Sequence, residues 1–138
     1  MDASYTLLSC TPSADDYRRL RVAAGLSARS AEAAAVGLPN TICAVVIEQD
    51  GRAIGMGRVI GDGGLFFQVV DIAVEPEHQG RGLGKAIVGG LLDQLRGLLP
   101  AEAYVSLIAD GEAHRLYAQY GFMPTAPASI GMAMWLRP

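Results

Sequence analysis

The sequence predicts an α/β (α+β) fold: a mixed, mostly antiparallel central sheet flanked by helices, in a single domain over residues 1–138. Three observations carry this. Three apolar runs, 41–48, 52–60 and 65–74, follow one another with only turn signals between them. A long stretch with helical spacing comes directly after. Hydrophobic residues make up 51% of the chain and charged residues 18%, which supplies a core and excludes a disordered polar chain.

The elements follow in order. Residues 4–9 (SYTLLS) alternate weakly and read as an edge strand. Thr11 and Ser13 are candidate caps for a helix from about Ala14 to Ala24, stopped by Gly25. Ser27 or Ser30 opens an Ala-rich helix that ends near Gly37-Leu38-Pro39. Thr41–Glu48 is a strand, Gln49-Asp50-Gly51 a hairpin turn, and 52–60 (RAIGMGRVI) the returning strand. After the turn Gly61–Gly64, the run LFFQVVDIAV at 65–74 predicts a long strand buried on both faces. Apolar residues at 87, 88, 91, 92, 95, 98 and 99 mark a helix closed by Pro100. Tyr104–Ile108 is a short strand, and Glu112–Tyr120 a helix ended by Gly121. The apolar tail 122–136, broken near 124–127, is expected to add one or two strands.

Composition excludes several classes. The net charge of −3 argues against a nucleic-acid-binding surface. No run reaches the ~18 apolar residues of a membrane span, and the start lacks a signal-peptide pattern, so no membrane partner and a cytoplasmic location are expected. Cys10 and Cys43 are far apart with no CxxC and no His cluster, which implies reduced thiols and no metal site.

Chemistry concentrates in 65–99: strand, glycine-rich turn, amphipathic helix. A helix start of this kind gathers free amides and positive dipole, so it suits a phosphate. Gly80, Gly82 and Gly84 let a ligand approach the backbone, and Arg81 and Lys85 add charge. A Walker loop fails because Ala86 follows Lys85. A Rossmann turn fails because a Pro-containing loop separates strand from glycines. A coenzyme A site is the third candidate.

The stretch VDIAVEPEHQGRGLGK, Val70–Lys85, resembles the acyl-CoA loop of the GCN5-related N-acetyltransferases, the GNAT superfamily. The family pattern Gln/Arg-x-x-Gly-x-Gly/Ala is met by Gln79, Gly82 and Gly84, and a second block by Ala113, Tyr117, Gly121 and Phe122. The two blocks stand in the family's order, and the likeness covers nearly the whole chain. It implies strands splayed around an acyl-CoA site, with acetyl-CoA as cosubstrate and no metal. The pantetheine arm would pair with the backbone of Ile72, Ala73 and Val74, and the amide near Val74 would polarise the thioester carbonyl. The pyrophosphate would sit on Gln79, Gly80, Arg81, Gly82, Leu83, Gly84 and Lys85.

By the same resemblance Tyr117 is the general acid for the leaving thiolate and contributes to the cofactor site. A thiol and a phenol differ by roughly 1.5 pKa units, so that proton transfer is uphill by only about 2 kcal/mol. Asp71 is the candidate base, with Glu75 through water, or water alone, as alternatives. Strand alternation puts Val69, Asp71 and Ala73 on one face, unless a bulge intervenes. Histone-type members carry a glutamate where this chain has Gln68. Asp110 reads as a helix cap, His78 as a solvated loop residue and Tyr120 as packing. Phe66, Phe67 and Trp135 read as core, with an apolar pocket as the alternative, and Arg29 and Arg58 as surface, with an anionic substrate as the alternative. The implied activity is acetyl transfer to a primary amine of a small molecule. Neither cysteine falls in a motif block, so direct attack in a ternary complex is expected. The rivals are a non-catalytic acyl-CoA sensor, an enzyme acting on a protein or peptide amine, and a nucleotide-binding protein of another class. The resemblance also implies a homodimer, since small members often pair through C-terminal strands and 131–136 is apolar enough to join a partner.

Overall fold

The two runs richest in β-branched and small apolar residues become the middle of the sheet. β2 (Cys43–Gln49) and β3 (Arg52–Gly61) form an antiparallel hairpin. Asp50 and Gly51 close it with φ of 53° and 76°, the two positive values of a type I′ turn. β1 (Tyr5–Leu8) pairs with β2 and β4 (Phe66–Val74) with β3, both antiparallel, while β5 (Tyr104–Ser106) runs parallel to β4. The strand order is β1-β2-β3-β4-β5. The computed structural model describes residues 1–138, which group into two compact units, 1–107 and 108–138.

In the large unit, helices cover both faces of the sheet. α1 (Ala14–Ala23) starts where Ser13 Oγ accepts the Asp16 amide at 3.1 Å. α2 (Ala31–Gly37) starts where Ser30 Oγ accepts the Ala33 amide at 3.0 Å, so Ser30 rather than Ser27 is the cap. Tyr17 and Leu20 from α1, Ala34 from α2 and Leu38 just after it pack onto Val46, Met56 and Ala73. α3 (Leu83–Leu98) takes the opposite face, burying Ile87, Val88, Leu91 and Leu95. It also supplies the crossover that a parallel β4–β5 pair requires. A Cβ on Gly57 would fall 2.5 Å from Ile87 and 2.6 Å from Ile72, so the absence of a side chain there lets α3 sit close.

β4 departs from the sequence expectation. β2 and β3 are the strands buried on both faces; β4 fully buries only Phe67, Val69 and Ala73, and Phe66 is exposed. β4 also carries a bulge. Arg58 faces Val70 and Met56 faces Ala73, so Asp71 and Ile72 together oppose Gly57. Directly paired residues share a face, and Met56 and Arg58 are two apart. Val70 and Ala73 therefore share a face although they are three apart, and simple alternation fails across Asp71.

In the small unit, α4 (His114–Ala118) is shorter than 112–120, and the chain turns at Gly121 with φ of 95°. The strands expected in 122–136 do not form. Apolar residues make a strand only where a neighbour offers a ladder. The stretch instead holds a turn in which the Ser129 amide donates to the Thr125 carbonyl at 3.0 Å. Met123, Ile130, Met132, Met134, Trp135 and Leu136 are all exposed, so Trp135 is not core.

Candidate active site

The bulge creates the first feature of the site. Asp71 adopts φ of 61°, a left-handed conformation uncommon for a residue other than glycine. Its carboxylate is aimed at α1 and β3. Arg21 Nη1 donates to it at 2.5 Å, Arg58 Nη1 at 2.7 Å and the Tyr17 hydroxyl at 3.0 Å. The side chain of Asp71 is 5% exposed and those of both arginines 8%. Arg58 thus lies in the interior, against the surface placement expected for it. Its guanidinium carbon stands 5.5 Å from the centre of the Tyr17 ring, and its Nε donates to Thr41 Oγ1 at 2.9 Å. Burial, and then the Asp71 charge, push the Tyr17 phenol above its ordinary pKa. Three donors occupy Asp71, so service as a base would require breaking two buried ion pairs.

The second feature is an open edge. β5 pairs with β4 only at Phe66, Phe67 and Gln68, whereas β4 continues to Val74. Beyond Gln68 the two strands no longer share a ladder. The Glu75 amide donates across to the Ile54 carbonyl on β3 at 2.8 Å. Alternation then turns the backbone groups of Ile72 and Val74 to the open side and those of Ala73 toward β3. Gln79 Nε2 reaches back to the Val74 carbonyl at 3.0 Å, tying the loop to that edge.

The third feature is the loop itself. After a 3-10 turn at Pro76–His78, Gly80 and Gly82 take φ of 76° and 77°, and Gly82 caps α3. A Cβ at either position would meet open space, so conformation rather than packing calls for glycine. The first helical bond joins the Ala86 amide to the Gly82 carbonyl, so the amides ahead of it point out of the helix. Arg81 and Lys85 are exposed beside them. His78 is not simply solvated. Its Nδ1 is hydrogen-bonded with the hydroxyl of Tyr5 at 2.7 Å, and Arg81 Nη1 donates to that hydroxyl at 3.3 Å. Tyr5 had no signal in the sequence beyond its place in a weak edge strand.

Glu75, the other carboxylate near the edge, is held by Arg19 and, at 2.9 Å, by Arg52. Tyr117 lies in the small unit, buried against Phe122 with ring centres 6.2 Å apart. Burial, and then the Asp110 charge, raise its pKa above the ordinary phenol value. Asp110 does not cap α4 with its side chain; Ala113 is the cap residue, and its amide bonds the Asp110 carbonyl at 3.0 Å. Nowhere do three His, Cys, Asp or Glu side chains converge as metal ligands would. No helix is long and apolar enough to cross a membrane.

The family model described as the acetyltransferase (GNAT) domain matches residues 39–124. GCN5-related N-acetyltransferase 2, chloroplastic, of Arabidopsis thaliana is 38% identical over 86 residues, covering 62% of this chain and 32% of the relative. Serotonin N-acetyltransferase 2, chloroplastic, of rice (Oryza sativa subsp. japonica) is 35% identical over 85 residues, covering 62% and 42%. The chain thus spans less than half the length of these curated relatives. A crystal structure from methicillin-resistant Staphylococcus aureus, described as a protein of unknown function and probable acetyltransferase, is 44% identical with a TM-score of 0.90, covering 96% of this chain and 99% of that one.

Proposed function

Because the chain belongs to the GCN5-related N-acetyltransferase (GNAT) superfamily, we propose that it is a single-domain enzyme that moves an acetyl group from acetyl-CoA to a primary amine of a small molecule, by direct attack in a ternary complex. The observation that supports this most is the open edge of β4 running, through one short loop, into the glycine turn at the start of α3. Unpaired strand backbone suits an amide-rich arm, and the outward amides suit a pyrophosphate.

The roles follow from the chemistry. Ile72 and Val74 supply backbone groups to the arm, and the Val74 amide stabilises the developing oxyanion. Gly80, Gly82 and the first turn of α3, with Arg81 and Lys85, hold the phosphates. The amine nitrogen bonds to the carbonyl carbon, the C–S bond breaks, and the Tyr117 phenol gives its proton to the sulfur. A raised pKa keeps that phenol loaded at neutral pH. The amine's proton leaves to water, and Asp71 is an anchor for Arg21 and Arg58 rather than the base. The proposal extends to a homodimer joined through 131–136, whose Met132, Met134, Trp135 and Leu136 are exposed; sedimentation of wild type against Trp135→Ser tests it. Cytoplasmic placement belongs to the same proposal. The two plant relatives carry a chloroplast address in their names, and fractionation of the source cell decides.

Isothermal titration with acetyl-CoA, with NADH and ATP as controls, is the first test. Saturable binding of acetyl-CoA alone supports the site, and thiol release with a panel of amines then tests transfer. Binding without turnover on any amine would favour a sensor. Tyr117→Phe should lower turnover about 100-fold while acetyl-CoA affinity holds. The alkaline limb of the rate should lie above pH ~10, since the folded phenol ionises above the ordinary phenol value. Unchanged turnover in the variant removes Tyr117 from the acid role.

A further inference from the structure

We propose that the cleft between α1, α2 and β3 binds a carboxylate or phosphate group, and that the amine acceptor carries that group. The second half rests on the acetyltransferase reading above; the first stands by itself. The cleft measures about 150 Å³, and its wall includes Tyr17, Arg29, Ala34, Leu38 and Arg58. That volume accepts an anionic group with a few carbon atoms, given that one water occupies ~30 Å³.

Charge is the first argument. Two guanidiniums line the cleft and no carboxylate does. Behind the wall Asp71 is the carboxylate bound to Arg58, and it is shared with Arg21. One buried negative charge therefore faces two buried positive ones. Buried positive charge in excess of its counterions is costly, and an anion in the cleft offsets it.

Donor geometry is the second argument. Arg58 commits Nε to Thr41 and Nη1 to Asp71, and its Nη2 touches only the Gly37 carbonyl, at 3.4 Å. Of the five N–H donors of a guanidinium, two are left for a ligand. The Tyr17 ring and the Asp71 carboxylate hold the plane of that fork, which makes it a preorganised partner for paired oxygens.

Position is the third. Asp71 anchors Arg58 and is followed directly by Ile72, the start of the open edge assigned to the acetyl donor. An acceptor held by its anion in this cleft is thereby tied to the strand that carries the open edge. A compact amino acid or amino phosphate fits that description better than a bulky neutral amine.

Two readouts test this. The first compares ethanolamine, β-alanine and O-phosphoethanolamine as acceptors at saturating acetyl-CoA. At least one of the anionic amines should exceed ethanolamine in kcat/KM by about tenfold, and Arg29→Gln should shrink that ratio toward one. The second needs no turnover. With CoA present to fill the loop, inorganic phosphate should protect Arg29 from phenylglyoxal, read by peptide mass spectrometry, and leave Arg96 reactive. Equal labelling with and without phosphate overturns the anion site, whatever the turnover. Protection with equal kcat/KM for all three amines overturns the acceptor assignment alone. Protection with no acetylation of any amine upholds the anion site and defeats the enzymatic reading.

Discussion

The bulge of β4 and its exit into the α3 loop use the same parts to different ends. Each has a carboxylate gripped by two arginines and each depends on glycine. At the bulge, Asp71 is 5% exposed and both its arginines 8%, so the whole cluster is interior. At the exit, Glu75 is 9% exposed, but Arg19 is 31% and Arg52 60%, so its partners reach water. Gly57 opposite the bulge is required by space, with neighbours 2.5 Å and 2.6 Å from a would-be Cβ. Gly82 at the exit is required by its φ of 77°, with open space in front. Burial therefore decides whether a similar motif holds the fold together or presents a surface.

Four substitutions sharpen that contrast. Asp71→Ala leaves Arg21 and Arg58 buried without their anion and should cost about 3–5 kcal/mol in urea unfolding. A cost comparable to that of Glu75→Gln would erase the distinction between the two regions. Gly57→Ala pushes a methyl into Ile87 and Ile72 and should cost about 1–3 kcal/mol, seen as a lower Tm. Gly82→Ala should cost about 1–2 kcal/mol from backbone strain alone. Unlike Gly57→Ala, it should weaken acetyl-CoA binding by more than its effect on stability suggests, and titration calorimetry separates the two. Glu75→Gln keeps the shape, and its arginines turn to solvent, so the loss should stay within about 1 kcal/mol. A larger loss would mean that the exit is as integral to the core as the bulge.

Much of this was legible in the chain. Ser13 and Ser30 mark helix starts because a cap acts within three residues, and Asp50-Gly51 marks a hairpin because both residues tolerate positive φ. The order Gln79, Gly82, Gly84 and then Ala113, Tyr117, Gly121, Phe122 pointed to the family. The role of Asp71 was not legible from alternation, because the bulge that turns it toward α1 depends on how Gly57 packs under α3. A signal did exist: Arg58 inside the apolar run 52–60 and Asp71 inside 65–74 are opposite charges at positions a core would otherwise fill. Reading that pair as partners, with Arg21 at a helical position ahead of them, would have found the cluster.

The tail gives the opposite lesson. Its apolar pattern was clear, yet 122–136 forms no strand, since hydropathy states what a residue would bury and not whether a ladder is there to receive it. By itself the sequence determined what acts within a few residues: helix caps, turns, the glycine loop and the two motif blocks. Tertiary structure alone decided which face Asp71 meets, that Arg58 is interior, and that Arg21 and Arg58 gather around one aspartate beside the cleft. Those outcomes depend on strand register and on contacts between residues dozens of positions apart, where the free energy of burial, and not local preference, chooses the partner.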